Sequence, residues 1–151
     1  MNTETTTRIS KSPLTGKEYI LPDTNDDRAG IDAFLAKHPG KKLVVIQGMG
    51  FVGSVMGLVV ANALTEEYAV IGIDLASPGS YWKIRSINEG QFPVQASDPK
   101  IELYYQESRR KQNYYATYDP YAYAQADVIL VDINLDVQKK SAANKDLEGY
   151  N

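Results

Sequence analysis

Apolar and polar positions along this chain follow two alternating periods. Residues 43–47 (Leu-Val-Val-Ile-Gln) and 69–74 (Ala-Val-Ile-Gly-Ile-Asp) are short continuous apolar runs rich in branched side chains, the pattern of strands buried on both faces of a parallel sheet. Residues 50–64 between them are small and apolar at helical spacing, so the order strand, helix, strand is predicted. Upstream, segments 8–11 and 17–21 flank the turn-rich Ser12-Pro13-Leu14-Thr15-Gly16 and predict a small hairpin. A helix capped by Asp26 or Asp27 is expected to run to about Lys37, with Ile31, Phe34 and Leu35 on one face, before His38-Pro39-Gly40 stops it.

Downstream the pattern continues. A loop at 77–80 precedes a helix over 81–87 that Asn88-Glu89-Gly90 ends, and Phe92-Pro93-Val94 is extended. Asp98 and Pro99 suit an N-cap and a first helical position, opening a helix through Ile101, Leu103 and Tyr104 towards Arg109. Residues 114–118 read as a short strand, Asp119-Pro120 opens a brief helix through Ala124, and the apolar run 127–133 predicts a buried parallel strand. Beyond Asp136 the chain is polar and no element is predicted.

The first strand runs into Gly48-Met49-Gly50-Phe51-Val52-Gly53, and Asp74 ends the second strand 21 positions after Gly53. This is the dinucleotide-binding fingerprint in its strand–helix–strand context. Gly48 makes the tight turn, Gly50 lets backbone approach a pyrophosphate, and Gly53 lets the helix pack closely on the strand. Phe51, Val52 and Gly53 lie in the first helical turn, whose free N–H groups face phosphate. A carboxylate at Asp74 accepts the two ribose hydroxyls and repels a 2′-phosphate, which favours NAD over NADP; Lys83 and Arg85, close behind, weaken that exclusion. The fold class expected is α/β: a Rossmann-type open parallel sheet of four or five strands with helices on both faces. Its domain spans 41–136, after an extension over 1–40 and before a polar tail over 137–151.

Composition narrows the chemistry. The chain has 151 residues, enough for one domain with a sizeable core, and a net charge of −3 that gives no electrostatic case for nucleic acid or an anionic membrane. It has no cysteine, which removes disulfides, thiolate metal sites and a cysteine nucleophile. No metal site is expected. The polar Met1-Asn2-Thr3-Glu4 lacks the regions of a signal peptide, so a cytoplasmic location is expected. The one histidine, His38, stands at a helix end beside Pro-Gly and is expected to serve the helix dipole rather than catalysis. Seven of the eleven tyrosines fall between Tyr104 and Tyr123. Packing at a sheet edge or an interface accounts for them better than base stacking in an acidic chain.

Further segments carry a resemblance. Gly48-Met49-Gly50-Phe51-Val52-Gly53 looks like a G-x-G-Y/F-V-G opening, and Lys83-Ile84-Arg85-Ser86-Ile87-Asn88-Glu89-Gly90-Gln91-Phe92-Pro93 is similar to K-V-x-x-L-N-x-G-x-x-P. Asp98-Pro99 stands where E-P is usual, Ala116-Thr117-Tyr118-Asp119 is similar to A-T-x-D, and Ala126-Asp127-Val128-Ile129 to A-D-V-hydrophobic. In that order, over 42–136, they resemble the nucleotide-binding N-terminal domain of the UDP-glucose/GDP-mannose dehydrogenase family, which includes the UDP-N-acetylmannosamine dehydrogenases. The resemblance implies NAD as cofactor and a nucleotide-sugar partner, oxidised at its C6 alcohol to a carboxylate in two NAD-dependent steps. It also implies a role for Lys83 in holding the adenosine half and places Thr117 near the nicotinamide-proximal phosphates or ribose.

Two departures stand out. The family's V-P-T-P, whose threonine lines the cofactor site, is here Val131-Asp132-Ile133-Asn134, so Asn134 is the polar group available to substitute. The loop from Ser77 to Tyr81 is longer than usual. The family's covalent chemistry uses a cysteine, with a lysine and an asparagine beside it, in segments C-terminal to those present. No catalytic residue is therefore expected in this chain, which reads as the NAD-binding part of a longer enzyme and as inactive alone. The resemblance leaves a homodimer open. A stand-alone nucleotide-binding module, or another NAD-dependent Rossmann oxidoreductase, also fits the glycine motif, but the latter leaves Ile87-Asn88-x-Gly90-x-x-Pro93 without a role.

Overall fold

The computed structural model describes residues 8–134 and the short strands 138–139 and 147–148. Two strands, β1 (Ile9–Lys11) and β2 (Glu18–Ile20), form the predicted antiparallel hairpin, and α1 (Arg28–Ala36) follows. Next come β3 (Lys42–Gln47), α2 (Phe51–Ala61) and β4 (Tyr68–Ile73), then α3 (Tyr81–Glu89) and α4 (Pro99–Lys111). The unit is completed by β5 (Tyr114–Thr117), α5 (Tyr121–Gln125) and β6 (Val128–Val131). The last four long strands make one parallel sheet in the order β5-β4-β3-β6. From β3 the chain passes to β4 on one side and reaches β6 on the other, so β3 borders the topological switch point where such sheets bind ligands. In the tail, Gln138–Lys139 pairs antiparallel with Leu147–Glu148, an element too short for periodicity to reveal.

Both faces of the sheet are covered at β3 and β4, as the apolar side chains on both sides of these strands require. Val44, Ile46 and Val70 pack with Ala61, Met56 and Val60 of α2, while Leu43, Val45, Ile71 and Ile73 pack with Ile31 and Phe34 of α1 and Ala122 of α5. A third cluster joins the hairpin to the crossover, with Tyr19 and Leu21 against Tyr81, Trp82, Ile84 and Tyr105. The extension is thus part of the core. Ser10, fully buried, donates to the Pro78 carbonyl at 2.7 Å and accepts from the Trp82 N–H at 2.9 Å, which ties the long loop after β4 to the hairpin.

One expectation fails at β6. Its apolar run predicts burial, yet Val128, Ile129 and Val131 are 44%, 46% and 61% exposed. Among the described residues the strand pairs with β3 along one edge only, and of its side chains Leu130 alone packs into the cluster beneath α2. Helix caps bring a second correction. Asp98 caps α4 by accepting from the Lys100 N–H at 2.9 Å; at α1 it is Asp26 whose carboxylate accepts from the first-turn Arg28 N–H, at 3.2 Å, whereas Asp27, at the N-cap, makes no side-chain cap. Its carboxylate turns instead to the end of β5. His38 also serves a tertiary contact rather than its own helix end, with Nε2 donating to the Gln112 carbonyl at 2.6 Å, which leaves Nδ1 to accept from Lys41 Nζ at 3.4 Å.

The tyrosine cluster is a set of bolts. Tyr105 donates to the Ile87 carbonyl (2.8 Å), Tyr114 to Ser54 (3.1 Å), Tyr115 to Asp27 Oδ2 (2.7 Å), Tyr118 to Asp26 (3.4 Å) and Tyr121 to Asp32 (3.0 Å). Burial pushes the Tyr105 phenol up to about 12, and Tyr114 higher still. Tyr115 is raised by burial first and by the Asp27 carboxylate second. These phenols are neutral donors that hold loops to the sheet. Among the described residues no helix is long and apolar enough to cross a membrane.

Candidate functional site

At the carboxyl end of β3 the chain turns through Gly48, Met49 and Gly50 into α2. Gly48 has φ of 100°, in the left-handed region that side chains avoid, and its N–H donates to the Ile73 carbonyl at 2.8 Å. A Cβ there would overlap the Asp132 carbonyl oxygen. Gly53 lies one turn into α2, where a Cβ would overlap the Gly48 carbonyl oxygen. Gly50, the N-cap, has open space where a Cβ would stand. The turn thus has two glycines packed against protein and one facing a void above a helix N-terminus, a shape suited to a phosphate approaching backbone N–H groups. Phe51 and Val52 are exposed on the first turn, where backbone rather than side chain faces such a group.

Asp74 closes this turn from the neighbouring strand. Its Oδ2 accepts from the Met49 N–H at 3.0 Å and its Oδ1 from the Leu75 N–H at 2.7 Å. Lys83 Nζ stands 3.7 Å from Oδ2 with both side chains mostly buried. Arg85, expected within reach of the same carboxylate, instead pairs with Glu89 at 2.7 Å and lies over the Tyr19 ring. Sequence reasoning missed a contact behind the turn. Met49 is buried with its thioether against β4, and Gly72 makes room for it, since a Cβ there would overlap the Met49 sulfur. A glycine inside a strand was the available signal.

Gly48 and Asp74 border a cleft of about 410 Å³ at the carboxyl ends of the strands, lined also by Gln47, Leu75, Tyr118, Tyr123 and Ile133. Burial, and then the nearby Asp74 charge, raises the Tyr123 phenol. Two candidates lie apart from these walls. Thr117 is fully buried, and its hydroxyl donates to Asp27 Oδ2 at 2.7 Å, so the neighbouring Tyr118 faces the cleft in its place. Asn134 is exposed, and Ile133 supplies the wall from that segment. Asn88, from the I-N-x-G element, has a physical role here. Its amide donates to the Ala116 carbonyl at 2.8 Å and accepts from the Ala116 N–H at 2.9 Å, holding β5 as an added strand would.

Asp132 is the unforeseen charge. Its N–H donates to the Gln47 carbonyl at 2.8 Å, and its Oδ2 lies 3.1 Å from the Cβ position of Gly53. A carboxylate this close to the glycine turn would oppose an anionic phosphate bound there. Asp132→Asn is expected to tighten dinucleotide binding about fivefold, on the order of 1 kcal/mol for one partly screened charge. The gain should shrink at high salt. Calorimetric titration checks it, and unchanged affinity at low salt would refute the charge effect. Among the described residues no group of three potential metal ligands occurs.

Comparison with known proteins follows the same lines. Residues 41–149 match the model of the UDP-glucose/GDP-mannose dehydrogenase family, NAD binding domain. Among solved structures, the chain is similar to the NDP-N-acetyl-D-galactosaminuronic acid dehydrogenase from Methanosarcina mazei Go1, with 22% identity and a TM-score of 0.58. That alignment covers 72% of this chain and 22% of the other, so the chain spans under a quarter of that protein's length. At this identity the likeness supports the fold. No curated protein matches the chain.

Proposed function

We propose a function from a plain premise: the chain belongs to the UDP-glucose/GDP-mannose dehydrogenase family and carries its NAD-binding domain. On our reading it is the cofactor-holding part of an enzyme that oxidises the C6 alcohol of a UDP- or GDP-sugar to a carboxylate, in the cytoplasm, for polysaccharide precursors. The observation that carries this best is the apposition of Asp74 to the glycine turn, with its carboxylate 3.0 Å from the Met49 N–H beside the open space at Gly50. NAD, when bound, takes up the hydride released from the sugar carbon. The residues present then bind and orient. The α2 N-terminus and Gly48, Gly50 and Gly53 receive the pyrophosphate, while Asp74 accepts the adenosine ribose hydroxyls. Lys83 neutralises the Asp74 charge from behind.

Chemistry on the sugar needs groups this chain does not have. With no cysteine it forms no thioester, so we expect the chain to bind NAD without turning over a nucleotide sugar. Calorimetric titration with NAD and NADP tests the cofactor assignment. Wild type is expected to bind NAD at least about tenfold more tightly, because a charged acceptor for two hydroxyls contributes about 1.5–3 kcal/mol and repels a 2′-phosphate. In Asp74→Ala that preference should vanish, since Lys83 then stands alone. Equal binding of both cofactors by wild type would remove Asp74 from the assignment.

A further inference from the structure

We propose that Asn25, in the N-terminal extension, recognises the adenine base of the dinucleotide; this rests on the NAD reading above. Asn25 lines the cleft together with Asp74, Leu75, Tyr118 and Pro120, although the family match begins only at residue 41. Its position follows the strand order. The pyrophosphate turn belongs to β3 and the ribose carboxylate to β4, so the base attached to that ribose lies onward, over the end of β5. That is where the extension is fastened. The Asp27 N–H donates to Asp119 Oδ2 at 2.8 Å, its carboxylate accepts from Thr117 and Tyr115 at 2.7 Å each, and the Asp26 carbonyl accepts from Tyr118 at 3.4 Å.

Asn25 is therefore carried on a pinned segment. Its own side chain is exposed and lines the cleft. An amide offers a donor and an acceptor in one plane, the pairing that suits adenine N7 and N6. Leu75, 72% exposed, and the half-buried Tyr118 supply apolar surface for the base faces. A segment outside the matched domain thereby completes the adenosine half of the site.

The test titrates the full chain and Asn25→Ala with NAD and with nicotinamide hypoxanthine dinucleotide, whose base carries oxygen where adenine carries the amino group. Hypoxanthine presents two acceptors at this edge, so asparagine keeps only one of its two bonds. Wild type is expected to prefer NAD about tenfold, the discrimination typical of a two-bond amide contact. Asn25→Ala should bind NAD about tenfold more weakly and lose the preference. Thermal melting of the variant should match wild type, because the side chain is exposed. Wild-type NAD affinity in Asn25→Ala, or an unchanged preference between the two dinucleotides, overturns the inference while leaving the NAD reading intact. A wild-type chain that binds neither dinucleotide overturns both.

Discussion

Gly48→Ala is expected to abolish measurable NAD binding and to lower the thermal midpoint. The residue sits at φ of 100°, where an L side chain costs roughly 1–2 kcal/mol. A Cβ also has nowhere to go. It points at the Asp132 carbonyl, whose residue is fixed by its N–H on the Gln47 carbonyl at 2.8 Å and by the pairing of Val131 with Gln47. The turn must open, moving Met49 off Asp74 and the helix N-terminus off its line. Gly50→Ala supplies the contrast. Its Cβ enters open space, so the chain should melt as wild type does while losing NAD affinity by about a hundredfold, the cost of filling the space of an approaching phosphate. Titration and thermal melting of both variants check this. A Gly48→Ala protein that binds NAD within about threefold of wild type would refute the packing account.

Asp27→Ala should destabilise the chain by about 3 kcal/mol. The carboxylate accepts from the Thr117 and Tyr115 hydroxyls at 2.7 Å each, and Thr117 has no exposed surface. Removing the acceptor strands two buried donors, each costing about 1–3 kcal/mol. Water reaching Tyr115 relieves part of that. Asp27→Asn keeps an acceptor and should cost less. Urea unfolding measures both, and a loss below about 1 kcal/mol for the alanine variant would mean that the extension is held by its apolar contacts instead.

Regular elements were legible because local pattern and tertiary need agree in them. The runs at β3 and β4, the Asp98-Pro99 start of α4 and the glycine stop at Gly90 each state one preference that the fold satisfies. At β6 the pattern reads correctly as an apolar strand and wrongly as a buried one, because periodicity reports what a strand prefers and not what lies beside it. The site divides similarly. Gly48, Gly50, Gly53 and Asp74 meet because strand–turn–helix geometry brings them together at short range. Asp27 and Thr117 meet across ninety residues, Asn25 reaches the cleft from the same distant segment, and no spacing rule reaches that far. Asp27 in particular carries a strong local signal for capping, which a buried hydroxyl pair outcompetes.

The Asn88 amide has a consequence for how the sheet can grow. On the β5 side it occupies the outward N–H and C=O of Ala116, and a strand approaching there would have to displace it. On the β6 side the described residues offer Val128–Val131 with no such plug. Among the described residues the β6 edge is therefore the less obstructed of the two. An added strand meets less resistance beside β6 than beside β5, where it must first displace the Asn88 amide.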